Sequence, residues 1–470
     1  MSASKTIQTF KNFEENKVFS HEDEGKKKLR LMIISGSLSI ISFLIILFTL
    51  PYTVLSWSGL FVYTTVIALT LFLFALLLRY FAILILSFLN VVRYTNQEES
   101  NFYPFVSIIV PAYNEGVTIF DSISSLLQLD YPNFEIIIVN DGSTDDTAQQ
   151  AEKLVGLHKG KYGNTIKVTL INKKNGGKSK ALNTGIQFSK AEFVLCMDGD
   201  SILSPETLKL GIRHFQHPEV GAVAGNVKVI NRDNLITKLQ ALEYIEGLNM
   251  ARNAQSFMKT VNIIPGPIGI FRKKAIIAAG WYSHDTFAED ADLTLNISEA
   301  GWKIVYEPMA ISYTEAPEKL YNLLKQRYRW TRGILQSLRK HKHLLWDPTS
   351  NLPNFLTLWS MFYEALIWPT MNLIANIFFI VVALFFGMSN LIFYWWITIA
   401  ILDVTTALFC VATEGEEYDL VLYAVIYRLF FILIIDFTKV MATIEEFIGL
   451  GMTWGKLDRV GFSKAPTPTT

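Results

Sequence analysis

Apolar runs long enough to cross a bilayer stand at both ends of this 470-residue chain, and a charged, glycine-bearing middle separates them. Leu29 to Leu50 and Leu60 to Leu89 can each span roughly 30 Å of hydrocarbon as a helix, so residues 29–93 read as a hairpin anchor. A cleaved signal peptide is the competing reading. Against it, the polar leader 1–28 is long, Leu50-Pro51 offers no small-residue cleavage site, and a second run comes closely after the first. The cluster Lys26-Lys27-Lys28-Leu29-Arg30 opens the first run and Arg93 closes the second. By the positive-inside rule both flanks, and the start of the middle segment, then lie in the cytoplasm.

Charged residues make up 18% of the chain, below the quarter or so usual in soluble proteins, which agrees with a molecule partly in lipid. Lysine plus arginine (42) equals aspartate plus glutamate (42), so net charge gives no nucleic-acid signature. Cys196 and Cys410 lack any metal-ligand or disulfide spacing and read as inert core residues. After a soluble domain at 97–348, residues 352–450 read as interfacial and transmembrane helices. An interfacial helix is expected from Leu356 to Trp368, broken at Pro369, then runs near Met371 to Phe386, Leu391 to Val411 and Leu420 to Ala442 that can each span. Trp368, Tyr394, Trp395 and Trp396 read as interfacial aromatics. Glu364, Asp403, Arg428, Asp436 and Lys439 are costly in lipid, so they should pair or line a polar path. Three spans would put the C-terminus outside, whereas Lys456, Arg459 and Lys464 in the segment 451–470 favour the inside. The parity stays open.

Within the soluble domain, short and mostly continuous apolar runs recur at Val106 to Val110, Glu135 to Val139, Val168 to Ile171, Phe193 to Met197 and Gly221 to Ala224. Helix-like stretches such as Thr118 to Leu129, Thr144 to Leu157 and Lys178 to Ser189 separate them. This predicts an α/β domain with a mostly parallel sheet, inserted between N-terminal and C-terminal membrane helices. Ligands of such sheets gather beyond the strand carboxyl ends.

The polar clusters sit there. The first strand ends in Pro111-Ala112-Tyr113-Asn114-Glu115, the second in Asn140-Asp141-Gly142-Ser143-Thr144-Asp145, the fourth in Asp198-Gly199-Asp200. A turn with a helix cap accounts for Ser143 but leaves Asp141 free to accept hydrogen bonds from a base or ribose. Asp198 and Asp200 supply hard oxygen ligands suited to Mg2+ or Mn2+, although a lone D-x-D is also an ordinary surface turn. Gly176-Gly177-Lys178 opens a helix and can receive phosphate, Lys178 better than Lys180, without the spacing of a Walker loop. Glu289-Asp290-Ala291-Asp292 reads either as acidic capping of the next helix or as the seat of a general base, Asp290. Gln326, Arg329 and Trp330 fall at i, i+3 and i+4 on one helix face. The bland account of that helix is a basic amphipath on the membrane surface, with Lys325, Arg327 and Arg332 solvated.

In order and spacing these clusters resemble the family 2 glycosyltransferases, specifically the processive membrane synthases of cellulose, chitin, hyaluronan and poly-N-acetylglucosamine, most of all the bacterial poly-β-1,6-N-acetylglucosamine synthases. The likeness covers nearly the whole chain. It implies a GT-A type nucleotide-sugar-binding domain in the cytoplasm and a multi-pass protein of the plasma (inner) membrane. It implies that Pro111, Tyr113, Glu115 and Asp141 hold the uridine moiety, that Lys178 and Asp198 seat the nucleotide sugar, and that Asp200, with Asp198, ligates the metal. Asp290, beside Glu289, would be the base; Arg329 would hold the diphosphate; Gln326 and Trp330 would bind the acceptor sugar, with Gly266 and Pro267 in an acceptor-side loop. Trp454 and Arg459 are similar to a W-x-x-x-x-R element that closes over the nucleotide, which requires a cytoplasmic C-terminus. Ala288 stands where many relatives carry threonine. The expected activity is inverting, processive transfer from a UDP-sugar to a growing β-linked exopolysaccharide, exported across the bilayer, with room for a small membrane partner subunit. Chitin, hyaluronan or glucan synthesis, single transfer to a lipid phosphate, and a non-catalytic nucleotide-sugar sensor or scaffold are the alternatives.

Overall fold

The computed structural model describes residues 60–95, 101–348, 351–386, 389–451 and 461. The leader, the run Leu29 to Leu50, and Trp454 and Arg459 lie outside these residues. The middle domain is built on one nine-stranded sheet of β1 (Val106–Ala112), β2 (Phe134–Asn140), β3 (Gly156–Lys159), β4 (Thr165–Asn172), β5 (Phe193–Cys196), β6 (Ser201–Leu203), β7 (Val220–Val229), β8 (Gly269–Arg272) and β9 (Lys303–Thr314), in the order β3-β4-β2-β1-β5-β8-β7-β9-β6. The segment β4-β2-β1-β5 is parallel throughout, and β7 pairs parallel with β9. β8 is antiparallel to both of its neighbours. All seven residues of β1 are buried, because both sheet faces are covered: Ile108 and Val110 enter one core and Ile109 the other, as the two-residue period requires.

The helix expected from Thr144 to Leu157 is shorter, Thr147–Glu152. Gly156, at φ 135°, lets the chain turn back into β3, an antiparallel edge on β4.

The helices used below are α1 (Leu60–Thr95), α2 (Lys178–Phe188), α3 (Leu235–Leu242), α4 (Met250–Met258), α5 (Glu289–Glu299), α6 (Leu320–Lys340), α7 (Leu352–Phe362), α8 (Trp368–Phe386), α9 (Ser389–Glu414) and α10 (Ile432–Phe447). A π-helical stretch, Glu243–Asn249, joins α3 to α4. Among the described residues, four segments are long and apolar enough to cross a membrane: Phe74–Arg93, Leu352–Phe385, Trp395–Glu414 and Tyr418–Phe447. Pro369 does not break the helix as expected. The π turn Tyr363–Ile367 lies between α7 and α8, and that irregularity absorbs the amide the proline lacks. Trp395 is buried in the bundle, its ring 5.1 Å from that of Phe379, among Leu76, Leu77 and Leu402. The intrachain charges pair: Asp403 takes Arg428 Nη2 at 2.6 Å, Glu364 takes Arg79, and Asp436 accepts from Asn372 at 2.7 Å.

Candidate active site

β1 and β5 lie side by side, so the turns at their carboxyl ends meet. A Cβ on Gly199 would stand 3.0 Å from the Pro111 carbonyl oxygen and 3.4 Å from Glu115 Cγ. Glycine is what allows the first strand's polar cluster and the D-x-D turn to touch. Glu115 is oriented by Thr118, whose hydroxyl donates to Glu115 Oε2 at 3.2 Å.

Lys178 is the first residue of α2, and it bridges two clusters that lie far apart in sequence. Its Nζ is 2.7 Å from Asp198 Oδ1 and 2.9 Å from Glu289 Oε1. Burial alone would push the ammonium down; the neighbouring Asp198, Glu289 and Asp290 outweigh it and hold it charged. Glu289 is also desolvated, yet Lys178, its own hydrogen bonds and the more distant Arg329 keep it ionised below the usual glutamate range. Asp290 goes the other way. Burial first and the Glu289 charge second push it up to about 6, against the pull of Lys178. Two adjacent carboxylates with opposite shifts are the pattern of a site that divides roles between a fixed anion and a titrating group. Both lie in the first turn of α5, where Asp290 Oδ1 accepts from the Ala291 amide at 2.8 Å. Lys178, Gly266, Glu289 and Asp290 line one cavity with Cys196 and Tyr282. Gly266 closes against it so tightly that a Cβ would stand 2.8 Å from Lys178 Nζ. Pro267 faces elsewhere with its carbonyl, which accepts from Ser312 Oγ at 3.0 Å.

Other residues singled out from sequence have different surroundings from those expected. Asp141 is buried and already satisfied: its carboxylate accepts from the Gly176 amide at 3.0 Å and the Gly177 amide at 2.7 Å, and pairs with Lys173. The glycine amides expected to face phosphate are thus given to Asp141, which sets the turn that delivers Lys178. Ser143 does not cap a helix; its hydroxyl accepts from the Asn114 amide at 3.0 Å. Arg327 and Arg332 are buried rather than solvated, Arg327 pairing with Glu243 at 2.6 Å and Arg332 with Glu446 at 2.7 Å. Gln326 and Trp330 gather around Arg327, which donates to the Gln326 amide oxygen and lies 4.2 Å from the Trp330 ring centroid; Tyr244 flanks that ring at 6.5 Å. Glu243, Tyr244 and Tyr282 carry no signal in the sequence, because none sits in a motif and their meeting with the site depends on how the helices from α3 to α6 cross.

No group of three His, Cys, Asp or Glu residues among the described residues is placed to hold a metal ion. Asp198 and Asp200 nonetheless fit Mg2+ or Mn2+ of the kind that takes one or two carboxylates and completes its shell with substrate phosphates and water. Asp200 is 4% exposed, and Lys178 already compensates Asp198.

The sheet and the convergence of strand ends are those of the GT-A glycosyltransferase fold, and the sequence model of glycosyl transferase family 2 matches residues 107–279. The chain therefore carries a family 2 glycosyltransferase domain. Two curated relatives, the poly-β-1,6-N-acetyl-D-glucosamine synthases of Staphylococcus aureus (strain COL) and Staphylococcus epidermidis, are each 34% identical over 229 residues, covering 48% of this chain and 54% of theirs. The chain spans about half the length of these curated relatives. Among solved structures, the mannosyltransferase PcManGT from Pyrobaculum calidifontis, in complex with GDP-Man and Mn2+, aligns with TM-score 0.54 at 21% identity over 80% of this chain and 97% of its own, a likeness of fold.

Proposed function

We propose that this protein is a membrane-bound, processive, inverting glycosyltransferase that polymerises sugar from a UDP-sugar into a β-linked polysaccharide, with UDP-N-acetylglucosamine as donor. One observation carries the reading: Lys178, which lines one cavity with Glu289 and Asp290, pairs at once with Glu289 and with Asp198, on the nucleotide side. The curated relatives' name supplies the sugar and linkage to test first.

In this mechanism Pro111, Tyr113 and Glu115 form the uridine wall and Asp141 fixes the turn before Lys178. Asp200 and Asp198 would hold the divalent ion, whose chemistry is to neutralise charge on the departing diphosphate. Lys178 and Arg329 add positive charge on that side, a contribution of a few kcal/mol for each well-placed group. Asp290 takes the proton from the acceptor hydroxyl as it attacks; no acid is needed for UDP, which leaves as a stabilised anion. Glu289 stays ionised on Lys178 and keeps Asp290 basic enough for that task. Trp330 and Gln326 offer the acceptor sugar a stacking surface and an amide beside the membrane helices, through which the product would leave.

The test supplies the purified full chain in lipid with several UDP-sugars and Mg2+ or Mn2+, then digests the product with linkage-specific hydrolases. A polymer cut only by an enzyme specific for β-1,6-linked N-acetylglucosamine is expected. A lipid-linked monosaccharide as the sole product would replace the polymer reading with single transfer.

A further inference from the structure

Arg252 is a buried cation that no carboxylate neutralises. It stands on α4, 6% exposed, and takes part in no ion pair among the described residues. Its Nη1 reaches Asn249 Oδ1 at 3.4 Å, a long and weak bond, and its Nε has no partner. Arg327 and Arg332, buried likewise, each hold a glutamate. An unpaired charge in such a place costs free energy that packing does not return.

Three contacts fix where Arg252 stands. Asn249 donates to the Val227 carbonyl of β7 at 3.2 Å, and the Ser256 hydroxyl accepts from the Tyr306 amide of β9 at 3.0 Å. Arg252 falls three residues after the one and four before the other, so the same helix face turns it toward these strands. Asn253 accepts from Asn90 at 3.0 Å, which ties α4 to the membrane helix α1. The groups that act on the Arg252 charge are, in falling order, Tyr306, Asp290, Tyr244 and Glu364. Tyr244 flanks the Trp330 ring, Asp290 is the proposed base, and Glu364 is already held by Arg79. Arg252 thus belongs to the acceptor side of Asp290, with Lys178 and Asp198 on the nucleotide side. Tyr306 is fully buried, and its hydroxyl also lacks a partner. Two unsatisfied buried groups on adjoining elements, one a donor and one able to donate or accept, are the polar lining of a site that a ligand completes.

Chemistry limits what that ligand is. A guanidinium only donates, so its ligand presents an oxygen acceptor. An N-acetylated sugar carries hydroxyls and one acetamido carbonyl, and the carbonyl is the stronger acceptor. We infer that Arg252, with the Tyr306 hydroxyl, holds an acetamido carbonyl of the acceptor chain and so selects an N-acetylated hexosamine polymer over one that lacks the acetyl groups. The inference rests on the proposed use of UDP-N-acetylglucosamine and extends it to the acceptor. Selection has two parts. Loss of the acetyl group leaves the buried donors unmet, and it uncovers an ammonium that the guanidinium repels. The Trp330 ring, which offers the same stacking surface to sugars of either kind, cannot make that choice.

The experiment uses the full chain in lipid with UDP-N-acetylglucosamine, Mg2+ or Mn2+, and two acceptors: pentamers of β-1,6-linked N-acetylglucosamine, and the same pentamers stripped of acetyl groups. The unmodified protein should favour the acetylated pentamer in kcat/KM by on the order of ten- to a hundredfold. Arg252→Met should bring the two acceptors within about threefold of each other by raising KM for the acetylated one, with KM for UDP-N-acetylglucosamine unchanged. Arg252→Lys, which keeps the charge and a donor, should keep part of the preference. Tyr306→Phe removes only an unbonded hydroxyl, so its preference should fall while its melting temperature does not; this variant decides the matter if Arg252→Met does not fold. An unchanged preference in Arg252→Met or in Tyr306→Phe would overturn the inference. So would equal loss with both acceptors in step with the melting temperature, which would mean a structural role. A protein that makes polymer yet shows no preference between the pentamers overturns this inference alone. One that makes no polymer and extends neither pentamer overturns the proposed function, and this inference with it.

Discussion

In the proposed mechanism Asp290 is the base, and its surroundings make that role measurable. It is half-buried beside an ionised Glu289 and a charged Lys178, so replacing its carboxylate with an amide removes the proton acceptor while leaving the nucleotide wall intact. Asp290→Asn should retain UDP binding by calorimetry and lose about a hundredfold to ten-thousandfold in kcat. Normal turnover would dismiss Asp290 as the base. Its upward shift also carries a pH signature. A base works in its deprotonated form, so a carboxyl raised to about 6 loses activity as pH falls through about 6. An ordinary aspartate would hold its activity two units further down. The acid limb of kcat/KM, which reports the free enzyme, should therefore fall near 6 and vanish in Asp290→Asn.

Between elements, what matters is how α5, which carries Asp290, is held to α6, which carries Arg329 and Trp330. One contact is steric: a Cβ on Gly333 of α6 would stand 2.6 Å from the Ala288 amide at the start of α5. The small side chain of Ala288 belongs to this close approach, its Cβ also 2.6 Å from that position. Gly333→Ala should push the helices apart and lower kcat more than thermal stability, read from turnover and melting of one preparation. The second contact is ionic. Asp292 is fully buried and meets Lys340 at 2.9 Å and His341 at 3.2 Å, and Ser283 donates to it at 2.8 Å. Burial alone would raise Asp292, but His341 and Lys340 bring it down to about 2; burial alone would lower His341, but Asp292 and Glu299 bring it up to about 9. A depressed carboxylate stabilises above its ordinary 3.8 and loses that as pH falls through about 2. A raised imidazole stabilises below its ordinary 6.5 and loses that as pH rises through about 9. The melting temperature of the full chain should thus have a plateau between about 4 and 6.5 that Asp292→Asn removes, at a cost of about 2–3 kcal/mol. A parallel pH profile in the variant would deny the clamp.

At the scale of the whole molecule, the sequence and the structure agree where local pattern decides and part where partners do. Continuous runs such as Ile136 to Val139 foretold parallel strands because both faces of that sheet are buried. Of the strand-end clusters, that of β1 meets the Asp198-Gly199-Asp200 turn, where a Cβ on Gly199 would stand 3.0 Å from the Pro111 carbonyl oxygen, whereas Asp141 turns to the Gly176 and Gly177 amides. The sequence pattern of α6 could not tell a solvated Arg327 from one buried on Glu243, since that depends on a partner distant in the chain. The junction of catalytic domain and membrane bundle is of the same kind. Lys228 of β7 meets Glu416 at 2.8 Å and Glu414 at 3.4 Å, and Arg232 meets Glu416 at 2.6 Å, with all of the charged groups largely buried. Lys228 and Arg232 hold the Glu416 carboxyl far below its usual range despite burial. Removing the shared carboxylate leaves buried Arg232 without its acidic partner and Lys228 with Glu414 alone, the costly way to break such a cluster, about 3–5 kcal/mol. Glu416→Gln should lower the melting temperature and increase proteolysis at the loop after α9, whereas Glu192→Gln, which removes the exposed partner of Arg272, should leave both unchanged. If the two variants melt alike, the Lys228, Arg232 and Glu416 cluster does not couple the domain to the membrane helices.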